Sequence, residues 1–422
     1  MRHLLSHTSE GVPGSHYQYS GNRYSYLSIV IEQLYGESFR SVLRQEILEP
    51  LEMTDTALNV GGCGLEFYLS GLAADEPERG FEHVYRQSAI PYQYDPLYNV
   101  YPVSVPTYAN AAAGLISTVE DLAKFAIAIN LDELVLPETK EAMFTPTRLN
   151  SGTTGPYGLG WFTQMHGETE LIWHYGYGAY STLFLKVPQE DLTFIVLANT
   201  QNMSRPFGLG LEDVSVLASP FALAFFKQFV LQPHFDDALP EIAWDASEDT
   251  VVGQLSEITN PELRQLYEGE LWTYRKLYAG AGNSSLASQL YRVHTQAFPD
   301  SERTTRDLYQ VGRPGARPPE RQHIQLSDDE VERWIGRFTL RSEDLELGLP
   351  PEMTVGLYEG RLIGGGAAND CQELMPISAS RLGTADNPDL FLVGEDEEGP
   401  FTSVAVEYGG DIIAKYQRVG SQ

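Results

Sequence analysis

Lysine is scarce in this chain, which limits where a serine nucleophile assisted by lysine could sit. Its 422 residues hold 24 Tyr and 9 His but only six Lys, at positions 124, 140, 186, 227, 276 and 415. A serine nucleophile of the Ser-x-x-Lys type needs its lysine one helical turn away, where the amine assists removal of the hydroxyl proton. The residues three before each Lys are Asp121, Pro137, Leu183, Ala224, Thr273 and Ile412, and none is serine. No Gly-x-Ser-x-Gly elbow exists either. Ser6, Ser9 and Ser20 each fit a loop or capping role and have no paired lysine. His3, His7 and His16 match no helical or strand ligand spacing, so no metal site is read, and no cofactor motif is found. Tyrosine is frequent, and most of its 24 copies are packing or surface residues. A phenol accepts a proton only as the phenolate, which at pH 7 means a pKa lowered by ~3 and about 4 kcal/mol of help from nearby cations.

The elements around these residues fall into three stretches. In the first, "YSYLSIVIEQLYG" sets Tyr24, Leu27, Val30, Ile31 and Leu34 at helical spacing with Gly36 as a stop. "ESFRSVLRQEILEPLEM" follows, with Ser38 as N-cap and Pro50 as stop. Residues 61–108 are rich in Gly, Pro and Tyr and read as a long folded loop. "STVEDLAKFAIAIN" predicts a helix capped by Ser117 or Thr118. "YGLGWFTQM" and "ELIWHYGYGAYSTLFLKVPQEDLTFIVLAN" predict antiparallel strands about a Pro-Gln-Glu-Asp turn, and a helix at about 211–231 closes the block. The second stretch, to about 326, reads as a helical connector ending in the Pro/Arg-rich "GRPGARPPERQ". The third is all β: "MTVGLYEGRLIGGG" and "TSVAVEYGGDIIAKYQRV" predict hairpins turning at Glu359-Gly360 and Gly409-Gly410. The domain boundaries so read are 1–231, 232–326 and 327–422.

Composition excludes some functions. With 58 acidic against 28 basic residues the net charge is −30, which disfavours nucleic acid, since phosphate contact needs a basic face. An acidic, lysine-poor surface fits a salt-adapted protein and fits a merely acidic, soluble one. No run approaches the ~18 apolar residues of a transmembrane segment. Cys63 and Cys371 form neither a metal pattern nor a disulfide framework.

Five local features occur in an informative order: "LLSHTSEGVPG", "YQYSGNRYSYLS", "EPLEMTDT", "AAAGLISTVEDLAKF" and "YGLGW…HYGYGAYSTLFLKVP…FIVLAN". Together they resemble the serine β-lactamase and penicillin-binding-protein-like hydrolases, in the class C-type branch with its esterases and D-aminopeptidases. The family patterns are "LLxHTSGLP", "YSNxxYxLLGxIIExxxGxS", "PLGMxxT", "GGLxSTxxDLxxF" and a strand "HTG" or "KTG". The resemblance covers about residues 3–200, and the tail resembles the lipocalin-like β domain often appended to such hydrolases. The implied fold is α+β: an antiparallel sheet with flanking helices plus a helical region, then the connector and a small β-barrel-like domain.

The resemblance implies an acyl-serine hydrolase acting on an ester, amide or lactam, with a small-molecule or peptide acyl substrate and a periplasmic or extracellular location. Tyr19 takes the place of the tyrosine general base. His174 takes the strand position that places substrate and tunes charge, and the Tyr177 N–H completes the oxyanion hole. Asn22, Tyr175 and Gly176 fall where substrate contacts lie. Two departures stand out: Gly21 replaces the family Asn, with Asn22 one place later, and Tyr175 replaces the Thr of "HTG". In the family, Ser-x-x-Lys lies upstream of "LLxHTSG", and Met1 already stands at that motif. The expectation is therefore a chain truncated before its nucleophile, with no acyl-transfer activity by itself. The alternative is a non-catalytic descendant acting as a binding or scaffold protein. His7 reads as structural, within a loop packed near the site.

Overall fold

In the computed structural model the strands expected after residue 157 form one four-stranded sheet. β1 (Phe162–His166), β2 (Thr169–Tyr177), β3 (Ser181–Val187) and β4 (Leu192–Ala198) lie in that order, each antiparallel to the next. "YGLGW" is a turn rather than a strand, and pairing starts in full at Phe162. Backbone packing explains this. A Cβ on Gly158 would lie 2.0 Å from the Met143 carbonyl oxygen, and Gly160 has a φ of +88°, so these glycines fold the chain back on itself. The β3–β4 connection is a tight turn at Pro188–Glu190 closed by Asp191 in the left-handed region.

The structure describes residues 1–60, 69, 72, 77–94, 100–102, 109–200, 203, 215–235, 238–280, 283–301, 324–342, 344, 352–358, 360–365, 371–384, 390–395, 399–408 and 411–420. Cys63 and the Pro/Arg-rich stretch 312–322 lie outside them. They divide into two units, one of residues 1–53, 89–103 and 118–317, the other of 54–88, 104–117 and 318–422.

In the first unit, α1 (Arg2–Leu5) and α2 (Gly21–Tyr24) are single turns that flank the "SHTS" segment. α3 (Tyr26–Tyr35) ends on Gly36 at φ +73°, and α4 (Phe39–Leu43), capped by Ser38, runs on into a π-helical turn at Arg44–Leu48. α5 (Val119–Asn130) begins at Thr118, whose hydroxyl accepts the Asp121 N–H at 3.2 Å. α6 (Pro137–Phe144) starts, like the later α7 (Pro220–Phe225), with proline where the helix needs no N–H. Of the helix expected at about 211–231, residues 211–214 lie outside the described residues and the remainder is interrupted. A short turn at Val216–Ala218 precedes Ser219-Pro220, which restarts the helix as α7 and continues as a π-helical turn to Leu231.

α8 (Glu248–Glu257), α9 (Pro261–Gly280) and α10 (Ser284–Ala297) come from the stretch read as a connector. Their buried residues Val251, Tyr267, Leu271 and Leu290 belong to the same apolar core as Phe162, Trp173 and Leu185 of the sheet. Between α9 and α10, His294 is buried with both ring nitrogens engaged. Arg275 Nη1 donates to its Nδ1 at 2.9 Å, and its Nε2 faces Glu268 Oε1 at 3.3 Å. No helix among the described residues is long and apolar enough to cross a membrane.

The second unit contains a closed antiparallel barrel of eight strands: β5 (Gly336–Leu340), β6 (Glu352–Tyr358), β7 (Arg361–Gly365), β8 (Cys371–Ser378), β9 (Arg381–Thr384), β10 (Leu390–Gly394), β11 (Ser403–Tyr408) and β12 (Asp411–Arg418), with β12 closing on β5. The pairs Tyr358↔Arg361 and Tyr408↔Asp411 bracket the two expected hairpin turns. α11 (Asp328–Trp334) starts with a reciprocal Ser327–Glu330 capping box and buries Trp334 against Phe401, ring centres 4.6 Å apart. In the same unit, the region 61–108 read as a long loop contains a helical turn at Glu82–Arg86, and a two-residue ladder pairs Ala57–Leu58, before it, with Leu115–Ile116, after it.

Candidate active site

The "SHTS" turn is buried and polar, so its hydrogen bonds must be found within the protein. The Ser6 hydroxyl donates to the Arg2 carbonyl at 3.0 Å, and Thr8 Oγ1 lies 2.8 Å from His3 Nδ1 and 3.0 Å from Ser6 Oγ. His7 has φ +52° and reaches the following strand-like segment at two points: its carbonyl accepts the Gln18 N–H at 2.8 Å and its Nδ1 accepts the Ser20 N–H at 3.1 Å. Ser20 in turn caps α2, its hydroxyl accepting the Arg23 N–H at 3.3 Å. Tyr19 sits between the two held amides.

The Tyr19 ring is half-buried among aromatic neighbours. Its centre lies 4.2 Å from His7, 5.8 Å from Phe162 in a stacked arrangement, and 6.2 Å from both His174 and Tyr175. Two of the expected site residues, Tyr19 and His174, are thus brought together by segments more than 150 positions apart in sequence. Burial pushes the Tyr19 phenol up to about 12. Tyr24 is raised to about 12 by burial and by the nearby Tyr19.

His174 lies on β2 and both its ring nitrogens are engaged. Nδ1 is 2.9 Å from the Tyr175 carbonyl, which can only accept, so Nδ1 carries the proton. Nε2 is then the acceptor, and the hydroxyl of Tyr157 donates to it at 2.9 Å. Burial lowers the His174 pKa to about 4, and His7 is lowered to about 4 by burial and by proximity to His174. Both imidazoles are therefore neutral at pH 7. Tyr157 is itself buried, and desolvation together with Tyr24, Tyr19, Tyr17 and Tyr175 holds its phenol well above the ordinary value.

Tyr175 is buried in the core with Trp173, its ring stacked 5.8 Å from that of His174. Gly176 pairs with Thr182, and a Cβ there would lie 2.4 Å from Thr182 Oγ1, so the register admits only glycine without a shift. Tyr177 pairs with Ser181 at the mouth of the β2–β3 hairpin; its side chain lies outside the described residues. Asn22 is on the exposed side of α2, where its carbonyl accepts the Ser25 hydroxyl at 2.7 Å.

Two residues of this cluster were not singled out as functional by sequence reasoning. Tyr157 belongs to "YGLGW", which reads as strand in the sequence and gives no sign of what the tyrosine would meet. His7 belongs to "SHTS", and its left-handed backbone cannot be read from residue type. The buried Tyr17 hydroxyl has no hydrogen-bond partner among the described residues.

The Beta-lactamase family model matches residues 1–214. The unguisins hydrolase ungD' of Aspergillus campestris is 29% identical over 207 residues, 47% of this chain and 36% of that protein. Penicillin-binding protein 4* of Bacillus subtilis is 27% identical over 201 residues, 45% of this chain and 41% of that protein. The chain thus spans well under half the length of these curated relatives. Among solved structures, the octameric penicillin-binding protein homologue from Pyrococcus abyssi aligns over 96% of this chain and 66% of its own, at 14% identity and a TM-score of 0.40. With the family match covering half the sequence, the chain belongs to the Beta-lactamase family of serine hydrolases and penicillin-binding proteins.

Proposed function

We propose that residues 1–231 supply the proton-transfer and oxyanion side of an acyl-serine hydrolase acting on an ester, amide or lactam. In this reading Tyr19 is the phenol that takes the nucleophile's proton and returns it to the leaving group, and the Tyr177 N–H polarises the acyl carbonyl. His174, held with Tyr157, shapes the strand side of the pocket, with Tyr175, Gly176 and Asn22 at its edge. The observation that carries this reading is the convergence of Tyr19 and His174, ring centres 6.2 Å apart, from the two motifs that family resemblance singles out. The relatives' printed names, a hydrolase and a penicillin-binding protein, fit the same reaction class.

The sequence holds no Ser-x-x-Lys, so acyl transfer by this reading needs that motif from polypeptide beyond the 422 residues. The phenol pushed up to about 12 agrees: without the motif's lysine, Tyr19 keeps its proton. The chain by itself is then inactive. The test joins the Ser-x-x-Lys segment of the Bacillus relative ahead of residue 1 and probes with a fluorescent penicillin and a fluorophosphonate. The fusion is expected to label covalently, the unfused chain to stay silent, and Tyr19→Phe in the fusion to slow labelling by about 10²–10⁴-fold. Labelling of the unfused chain, or a folded fusion that never labels, overturns the proposal. The second outcome favours a non-catalytic binding or scaffold protein, a reading the fully protonated phenol cluster also supports.

A further inference from the structure

We propose that His7 is the positioning residue of Tyr19: its backbone carbonyl and its ring Nδ1 grip the amides on either side of Tyr19, while its ring face sets the plane of the phenol. The inference rests on the reading of Tyr19 as the proton carrier only for its importance, since the geometry stands on its own. The Gln18 N–H is held at 2.8 Å by the His7 carbonyl and the Ser20 N–H at 3.1 Å by His7 Nδ1. The ring centre of Tyr19 is 4.2 Å from that of His7 with the planes 32° apart. Three consecutive residues are thus referred to one side chain and its own peptide. The held position has a cost, because His7 occupies φ +52°, where a side chain with a Cβ is disfavoured and Asn, Asp and His are tolerated best. The Ser20 hydroxyl carries the constraint on into α2.

The same geometry makes the grip depend on protonation. Nδ1 accepts from Ser20 only while it is unprotonated, so the neutral ring carries its proton on Nε2. The titratable groups facing the ring are Tyr17 and Tyr19 from the gripped segment, Tyr24 from α2, Tyr157 from the approach to β1, and His174 from β2. All five are neutral at pH 7. Burial lowers the His7 pKa to about 4, which keeps the acceptor available through the neutral range.

The test is made on the full chain by NMR, with three probes: the Ser20 amide, the Gln18 amide as an internal control, and 3-fluorotyrosine placed at position 19. In the wild type the Ser20 amide shift is expected to titrate with a midpoint near 4. His7→Asn keeps an oxygen acceptor near the place of Nδ1 and tolerates the left-handed backbone. It is expected to keep Ser20 protected while abolishing that titration. His7→Gly relieves the backbone but removes the acceptor and the ring. It is expected to speed Ser20 exchange by about tenfold or more, leave Gln18 protected by the retained carbonyl, and shift the fluorine signal of position 19 toward that of a free tyrosine. Ser20 protection and the fluorine signal unchanged in His7→Gly overturn the proposal, as does a wild-type Ser20 amide that ignores pH between 3 and 6. Should His7→Gly fail to fold, His7→Asn and the wild-type titration still decide. These readouts need no acyl transfer: a silent fusion in the labelling experiment counts against the hydrolase reading and leaves the role of His7 to be decided here.

Discussion

Tyr157 and His174 act as one hydrogen-bonded unit, the phenol donating at 2.9 Å to the Nε2 of an imidazole whose other nitrogen is bound to the carbonyl of the next residue. The two are 17 positions apart and meet because the glycine-rich turn at 158–160 brings Tyr157 back over the sheet before β1 begins. Neither nitrogen of His174 can turn away without leaving a buried polar atom unpaired. Tyr157→Phe is expected to leave Nε2 without its donor and cost about 1–3 kcal/mol of stability, read as a lower midpoint in urea.

The two neutral imidazoles set an acid limit. The folded pKa values of His7 and His174 lie near 4, below the unfolded value of 6.5, so between those limits the unfolded chain binds more protons. Stability contributed by these groups is therefore full above pH 6.5, falls as pH drops from 6.5 to 4, and falls no further below 4. The expected loss is on the order of 3 kcal/mol for each imidazole. Denaturant melts at half-unit intervals check this. A His174→Asn chain is expected to begin less stable and to show a shallower slope over the same range.

At alkaline pH the sign is set by a different residue. Lys186 on β3 is buried, its ammonium donating to the Ala126 carbonyl at 3.3 Å and to Thr193 Oγ1 at 3.2 Å, and burial lowers its pKa to about 8. Between pH 8 and 10.5 the unfolded chain holds the proton that the folded one has given up, so this group makes stability rise with pH. Lys186→Met is expected to remove the rise and to match or exceed the wild-type stability at pH 7. A wild-type chain whose stability relative to Lys186→Met stays flat from pH 8 to 10 contradicts the assignment.

Gly176 and Thr182 provide a paired test of the hairpin that carries Tyr177. Gly176→Ala drives a methyl to within 2.4 Å of Thr182 Oγ1 and is expected to cost about 1–3 kcal/mol. Thr182→Ala removes the obstructing hydroxyl, so the double variant is expected to recover most of the loss. Additive effects in the double-variant cycle contradict the contact.

Much of this architecture was legible in the sequence because it depends on local chemistry. Gly36 and Ser38 marked the junction of α3 and α4, and Pro-Gln-Glu-Asp marked the β3–β4 turn. The two hairpin signals in the last hundred residues announced an all-β module, and the lipocalin-like resemblance of the tail pointed to a barrel. Ser219-Pro220 was visible as well, but the apolar run around it masked the break that a proline at a helix start imposes. The candidate site was half legible: motif order singled out Tyr19 and His174, whose rings lie 6.2 Å apart, while the residues packed around them were hidden. His7 acts through a left-handed backbone and a ring nitrogen, and Tyr157 through a turn that brings it over the sheet. Both depend on tertiary geometry, which no local pattern encodes. The same limit applies to α8, α9 and α10, whose helical periodicity was plain while the surface they would cover was not.

That shared core has a consequence for how this chain could be divided. The region of recognisable descent stops at residue 214, yet Trp244, Val251, Tyr267, Leu271 and Leu290 lie in one apolar interior with Trp173 and Leu185. Ancestry and cooperativity are thus drawn along different lines. A polypeptide ended at either residue 214 or Leu231 would inherit the whole signature of its lineage and lose one wall of the interior that keeps β2 in place. The later helices lie outside the family match, but any attempt to transplant the sheet has to carry them along.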